Sequence, residues 1–192
     1  MPLMYSSGPA VADYIFACGK DDIFACMRRG FVRDSGELGY TVHVVAVVDG
    51  AVVGTGAGFA GDAPLRFIAQ GAFNMLACLG VVRGMGIARR ALQAERIIRP
   101  PKRHEQCIAH LGVQPEFRGR GIGALIVRHI LDEGRRRGKM TAVLDVSVEN
   151  PRAQALYERL GFAVAREYPS TLSNDYASVP GHRRMELTLT RK

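Results

Sequence analysis

Residues 108–125 read Ile108-Ala109-His110-Leu111-Gly112-Val113-Gln114-Pro115-Glu116-Phe117-Arg118-Gly119-Arg120-Gly121-Ile122-Gly123-Ala124-Leu125, and this stretch decides the fold. Apolar Ile108, Leu111 and Val113 predict a buried strand. Pro115 ends it, because its nitrogen cannot donate to a sheet ladder. Two arginines then alternate with three glycines ahead of an apolar run, Ala124 to Val127 and on through Ile130-Leu131, which predicts a helix. Strand, glycine-rich turn and helix start together make an anion cradle. Glycines let backbone come close to a ligand, and the unpaired N–H groups of the first helical turn point at negative charge. Arg118 and Arg120 add donors suited to phosphate oxygens. The stretch predicts a site for a phosphorylated cofactor.

Two better-known loops do not fit. A Walker loop ends in Gly-Lys-Ser/Thr, and Gly123-Ala124-Leu125 lacks both the lysine and the hydroxyl. A dinucleotide fingerprint needs G-x-G-x-x-G, whereas the third glycine of Gly119-Arg120-Gly121-Ile122-Gly123 comes one place early. An acidic ribose ligand about 20 residues on is also missing, since that region is Gly138-Lys139-Met140-Thr141. What remains is R-x-x-G-x-G over Arg118 to Gly123.

A second informative segment follows. Ala142-Val143-Leu144-Asp145-Val146-Ser147-Val148 alternates as a strand does, and Glu149-Asn150-Pro151 breaks it. Ala153, Ala155, Leu156 and Leu160 then recur at helical spacing before Gly161-Phe162 stops the helix and opens another strand. Tyr157 lies on this helix, where taken alone it reads first as packing with its hydroxyl at the rim and second as a reactive phenol.

Taken together, the two segments resemble the GNAT superfamily of N-acetyltransferases, which take their acetyl group from acetyl-CoA. Residues 111–123 are similar to its pyrophosphate motif, L-G-V-x-P-x-x-R-G-x-G-I-G. Asn150 to Phe162 is similar to its acceptor-side motif, N-x-x-A-x-x-x-Y-x-x-x-G-F. Arg183 to Leu189 is similar to its last strand, with Arg183-Arg184 expected ahead of that strand and one of them in solvent. The resemblance covers about residues 40–60 and 106–190. It implies an α/β (α+β) fold: a mixed, mostly antiparallel, twisted sheet flanked by helices and splayed to admit CoA.

Length and charge agree with a single domain over residues 1–192. The formal net charge of +8 suits a ligand carrying several phosphates. It also permits nucleic acid or anionic lipid by long-range attraction, but no zinc spacing, aromatic RNA motif or heptad accompanies it, and nucleic acid is not expected. Cys18, Cys26, Cys78 and Cys107 form no C-x-x-C pair and read as reduced core residues. The first twenty residues lack a secretory pattern, which leads to the expectation of a cytoplasmic protein.

Residues 1–10 read as a loose lead-in, Val11 to Cys18 as a strand, and Asp21-Asp22 as the start of a helix to Arg29. Thr41 to Val48 and Ala51 to Phe59 form a hairpin about Asp49-Gly50. A helical insertion is expected at about 62–104, interrupted at Gly84-Met85-Gly86. Arg66 and Arg83 bracket an apolar span too short to cross a bilayer, which needs about 20 residues. A packed helix pair, a lid over the acceptor, a homodimer contact and a membrane-surface helix are all compatible with this composition. The charge run Arg135-Arg136-Arg137-Gly138-Lys139 suits an exposed helix end.

The resemblance also implies roles. Backbone of Leu111, Gly112 and Val113 would pair with the pantetheine arm, in a strand splayed at Gly112. N–H groups of Arg118, Gly119, Arg120, Gly121, Ile122, Gly123 and Ala124 would hold the pyrophosphate. Asn150 would bond the arm, and Tyr157 would protonate the departing sulfur; its hydroxyl keeps its proton at neutral pH. His110 titrates in a useful range for the base, Glu105 and His104 stand just before it, and Cys107 is a poor candidate. The implied reaction is transfer of acetyl to a primary amine of a small molecule. A protein lysine or N-terminus, or a CoA-binding module without catalysis, are the alternatives.

Overall fold

The computed structural model describes residues 1–34, 36–62 and 65–189, leaving out the side chains of residues 65–68, 72, 75 and 76. Six strands form one sheet in the order β1-β2-β3-β4-β6-β5. They are β1 (His43–Val48), β2 (Ala51–Ala60), β3 (Glu105–Val113), β4 (Thr141–Ser147), β5 (Ala163–Tyr168) and β6 (His182–Thr188). Every neighbouring pair is antiparallel except β3 and β4. The expected sheet class is therefore the observed one.

The hairpin turn forms as Asp49-Gly50 predicts. Both central residues take positive φ, 49° and 77°, the twist that matches two right-handed strands. β1 begins at His43, because residues 40–42 close a short 3-10 turn first.

Helix α5 (Ile122–Arg136) lies along one face of β1–β3, burying Ile122, Ile126, Val127, Ile130 and Leu131. A Cβ on Gly56 or Gly58 would stand 2.6 Å from Ile126 Cγ2 or Ile130 Cγ2, so the glycines allow the helix to lie close. Ile108, Leu144, Val146, Phe162 and Met185 complete this core with Tyr157 of α6 (Pro151–Arg159). Full burial of each such side chain is worth about 1.5–3 kcal/mol. At the exposed end of α5, Arg135 pairs with Asp132, and Arg136 and Arg137 pair with Glu133.

A second apolar cluster gathers the N-terminal helices: α1 (Pro2–Tyr5), α2 (Pro9–Phe16) and α3 (Lys20–Val32) with α4 (Leu65–Ala94). Several expectations are corrected here. Residues 11–16 belong to a helix and not a strand: Pro9 occupies its first turn, where a missing N–H costs nothing. The short apolar run of 14–18 could be read either way. The lead-in also holds a helical turn, with Met4 buried. α4 passes through Gly84-Met85-Gly86 without interruption and breaks at Gly80 instead, where φ is 78° and ψ 169°.

Cys26 and Cys78 are not reduced thiols but a disulfide. α3 and α4 bring their Cα atoms to 5.7 Å, a proximity that their separation of 52 residues does not reveal. Cys18 and Cys107 are free. Arg183 and Arg184 lie within β6, and Arg184 is buried. Among the described residues, no helix is long and apolar enough to cross a membrane.

Candidate active site

The parallel pair of strands builds the site. β3 and β4 are joined only at Glu105↔Thr141, Gln106↔Ala142 and Cys107↔Val143. Beyond these pairs β3 runs on to Val113 and β4 to Ser147, so a gap opens between them. The divergence thus begins after Cys107, earlier than the expected Gly112. On its other side β3 stays paired with β2 up to Gly54↔Val113. Its edge from Ile108 to Val113 consequently faces the gap with no strand paired to it, which suits a ligand carrying amides of its own.

At the far end of this edge lies the cradle. Gly119 and Gly121 take φ of 79° and 80°, a conformation that side-chain-bearing residues pay to enter. Gly121 caps α5, and the first bond after it runs from Leu125 N–H to the Gly121 carbonyl. No described residue accepts a hydrogen bond from the backbone N–H groups of residues 119–124. Six successive donors at a helix N-terminus are the electrostatic complement of a diphosphate. The arginines are partly committed elsewhere: Arg118 Nε donates to the Val113 carbonyl at 3.0 Å, and the Arg120 guanidinium sits 5.1 Å above the Phe117 ring.

The register shift in β3 sets the other wall. Thr55 pairs with Gly112 and Ala57 with Ala109, so β3 carries one more residue than β2 between them. His110 is that bulge, with φ of 53°. The extra residue turns its imidazole to the face opposite α5, where it stacks on His43 with ring centroids 5.8 Å apart. His43 Nδ1 meets the Gly39 carbonyl at 2.8 Å, and Nε2 of both rings is buried without a partner. Burial pushes His110 down to about 4 and lowers His43 as well. On the same face, a Cβ at Gly112 would run into the Leu3 carbonyl, so α1 crosses β3 there.

Asp145 stands on the β4 wall, two residues past the last β3–β4 pair. It is the functional candidate that motif reading missed. Its Oδ2 lies 2.7 Å from Arg184 Nη1, while its Oδ1 is buried and unpaired. Burial pushes its carboxyl up to about 6 against the opposing pull of Arg184. The signal was present in the sequence, as one carboxylate inside the apolar run Ala142 to Val146. Glu105 is unavailable as a base: Oε2 accepts from Arg184 Nη2 at 3.0 Å and from the Lys102 N–H at 2.8 Å. Cys107, at the closed end of the gap, is buried and its thiol is pushed well up. The Glu37 carboxyl is raised by surrounding protein, and His43 opposes the shift.

Tyr157 of α6 is buried and edge-on to Phe162 at 6.0 Å. Burial pushes its phenol well above the ordinary value. Asn150 caps α6: its Oδ1 accepts from the Ala153 N–H at 3.1 Å, leaving the amide nitrogen for another partner.

Residues 96–162 match the model of the acetyltransferase (GNAT) family. The [ribosomal protein bS18]-alanine N-acetyltransferase of Salmonella typhimurium is 37% identical over 78 residues, 41% of this chain and 50% of that protein. The chain thus spans about half the length of the curated relative it matches. The Salmonella typhimurium protein yncA, solved with its cofactor acetyl-CoA, superposes with a TM-score of 0.52 at 19% identity, over 78% of this chain and 65% of that one. An N-acetyltransferase from Staphylococcus aureus Mu50 superposes with a TM-score of 0.53 at 14% identity, over 90% of this chain and 79% of that one. These two share the fold. Residues 96–162 thus resemble the acetyltransferase (GNAT) family, and they are set in a splayed six-stranded sheet.

Proposed function

We propose that the chain transfers the acetyl group of acetyl-CoA to a primary amine by direct attack within a ternary complex. One observation carries the reading: the row of unaccepted N–H groups at 119–124, set where a strand edge opens into a gap. The donor's diphosphate fits that row, and its amide-bearing arm fits the strand-unpaired edge of β3 from Leu111 to Val113. Asn150 adds a side-chain amide on the opposite wall.

Acetyl-CoA supplies an activated thioester. The amine nitrogen forms a bond to the carbonyl carbon, the carbon–sulfur bond breaks, and the sulfur leaves with its electron pair. Tyr157 gives its proton to that sulfur, and its raised pKa keeps the proton in place until then. The proton lost by the amine goes to Asp145 in preference to His110. A carboxyl at about 6 is ionised at neutral pH and is a stronger base than an imidazole held at about 4.

A small-molecule amine is the acceptor in this reading, which the close crossing of α1 over β3 at Gly112 favours by narrowing the approach from that face. The name of the bS18-alanine relative favours a protein α-amine as the second reading. A cytoplasmic setting belongs to the same proposal. Thiol release from acetyl-CoA against matched panels of small amines and peptides tests both. Turnover with small amines supports the first reading and peptide-only turnover the second. Saturable CoA binding without turnover on either panel overturns the enzyme reading.

A further inference from the structure

The Cys26–Cys78 bridge stands where three elements meet. One helical turn from it, Gly30 of α3 faces Asn74 of α4. A Cβ on Gly30 would lie 3.0 Å from Asn74 Nδ2 and 3.0 Å from Leu38 Cβ. The two helices and the 3-10 turn Gly36–Leu38 therefore close on one point. Asn74 Nδ2 also donates to the Cys26 carbonyl at 3.4 Å. α4 breaks two residues past Cys78, at Gly80, so the bridge pins the segment before the break to α3. The clasped turn leads on to the wall of the candidate site. Gly39 N–H donates to the Gly36 carbonyl at 3.0 Å, and Asp34 Oδ1 accepts from the Thr41 hydroxyl at 2.6 Å. The Gly39 carbonyl in turn meets His43 Nδ1 at 2.8 Å, and His43 stacks on His110 of the bulge. Phe31 of α3 touches the same imidazole edge-on, with ring centroids 5.6 Å apart.

We propose that the bridge is a redox switch on the acceptor side of the site. Closed, it clamps α3 and α4 on residues 36–42 and holds the His43–His110 wall; opened by a dithiol reductant, it lets that wall loosen and weakens acceptor binding. Cys26 is 0% exposed but Cys78 is half-buried, so the reductant meets the bridge from the α4 side. Its thiolate attacks Cys78 Sγ, the S–S bond breaks, and Cys26 Sγ leaves with the electron pair and takes a proton. The reductant's second thiolate then attacks the reductant sulfur of the mixed disulfide, and Cys78 leaves and takes a proton. Two electrons pass to the protein, and the reductant ends as its own disulfide. α5 and its cradle pack in a separate apolar cluster, so acetyl-CoA binding lies outside the switch.

The test compares air-oxidised protein with protein reduced by dithiothreitol. Thiols titrated in the denatured chain are expected to rise from the two of Cys18 and Cys107 to all four. Amide hydrogen exchange over residues 36–43 is expected to quicken about tenfold on reduction. KM for the amine rises about tenfold, while acetyl-CoA Kd and far-UV circular dichroism stay unchanged. Cys78→Ser behaves as the reduced protein with or without dithiothreitol. Four thiols before reduction, or exchange at 36–43 that reduction leaves unchanged, overturns the proposal. So does an amine KM indifferent to the bridge, or an acetyl-CoA Kd that shifts along with it. The KM effect rests on the transfer reaction proposed above. If no amine turns over in either state, that reaction fails and exchange at 36–43 alone decides the switch.

Discussion

Asp145 and Arg184 are direct cross-strand partners of β4 and β6, with carboxylate oxygen and guanidinium nitrogen 2.7 Å apart and side chains only 4 and 6% exposed. Arg184 also holds Glu105, so one cation serves two buried carboxylates. Replacing Arg184 with methionine strands Asp145 and leaves Glu105 with Lys102. Losing a buried partner costs about 3–5 kcal/mol. Urea denaturation at neutral pH is expected to show a loss of that size, and an unchanged midpoint would contradict it.

The same pair sets a pH dependence. Asp145 titrates at about 6 when folded against 3.8 ordinarily, so the folded state holds its proton more tightly. Between about pH 4 and 6 the unfolded chain has lost that proton and the folded one has not. This group's contribution to stability therefore falls as pH rises through the window. Asp145→Asn removes that component of the slope, which thermal melts at half-unit pH steps resolve.

Tyr157→Phe tests the acid. The substitution keeps the ring that packs against Phe162 and deletes only the hydroxyl. kcat is expected to fall about 10²-fold with little change in acetyl-CoA affinity. Equal turnover of the two proteins removes the tyrosine from the chemistry.

Gly121→Ala tests the cradle. At φ of 80° a Cβ is strained, at a cost of about 1–2 kcal/mol, and the helix start must shift. Calorimetry is expected to show weaker CoA binding, with the sheet intact by circular dichroism.

Reducing the Cys26–Cys78 bridge releases a loop of 52 residues. In the chain-entropy account such a closure is worth up to about 4 kcal/mol. A lower Tm under reductant, absent in Cys78→Ser, is the expected outcome.

The parts of the fold legible in the sequence were those where local chemistry acts alone. Asp49-Gly50 fixes its turn by tolerance of positive φ, and the glycines before Ile122 mark the cradle for the same reason. Asn150-Pro151 and Gly161 bracket a helix by local chemistry, and α6 forms there with Asn150 as its cap. Contacts between distant segments were not legible. The Cys26–Cys78 bridge depends on how α3 meets α4, and Asp145 depends on Arg184 arriving from the last strand. The bulge at His110 is a mismatch between two strands, invisible in either one. Residues 11–16 failed for another reason: a short apolar run satisfies both periodicities, and Pro9 tips it to a helix.

The strand order carries a consequence for synthesis. β6 enters between β4 and β5, and among the described residues β5 pairs with no other strand. A nascent polypeptide halted before residue 182 already holds both motifs, yet β4 has one bare edge and β5 nothing to hold it. Sheet completion must therefore await emergence of residues 182–188 from the ribosome, and until then the unfinished edge is a hazard for aggregation.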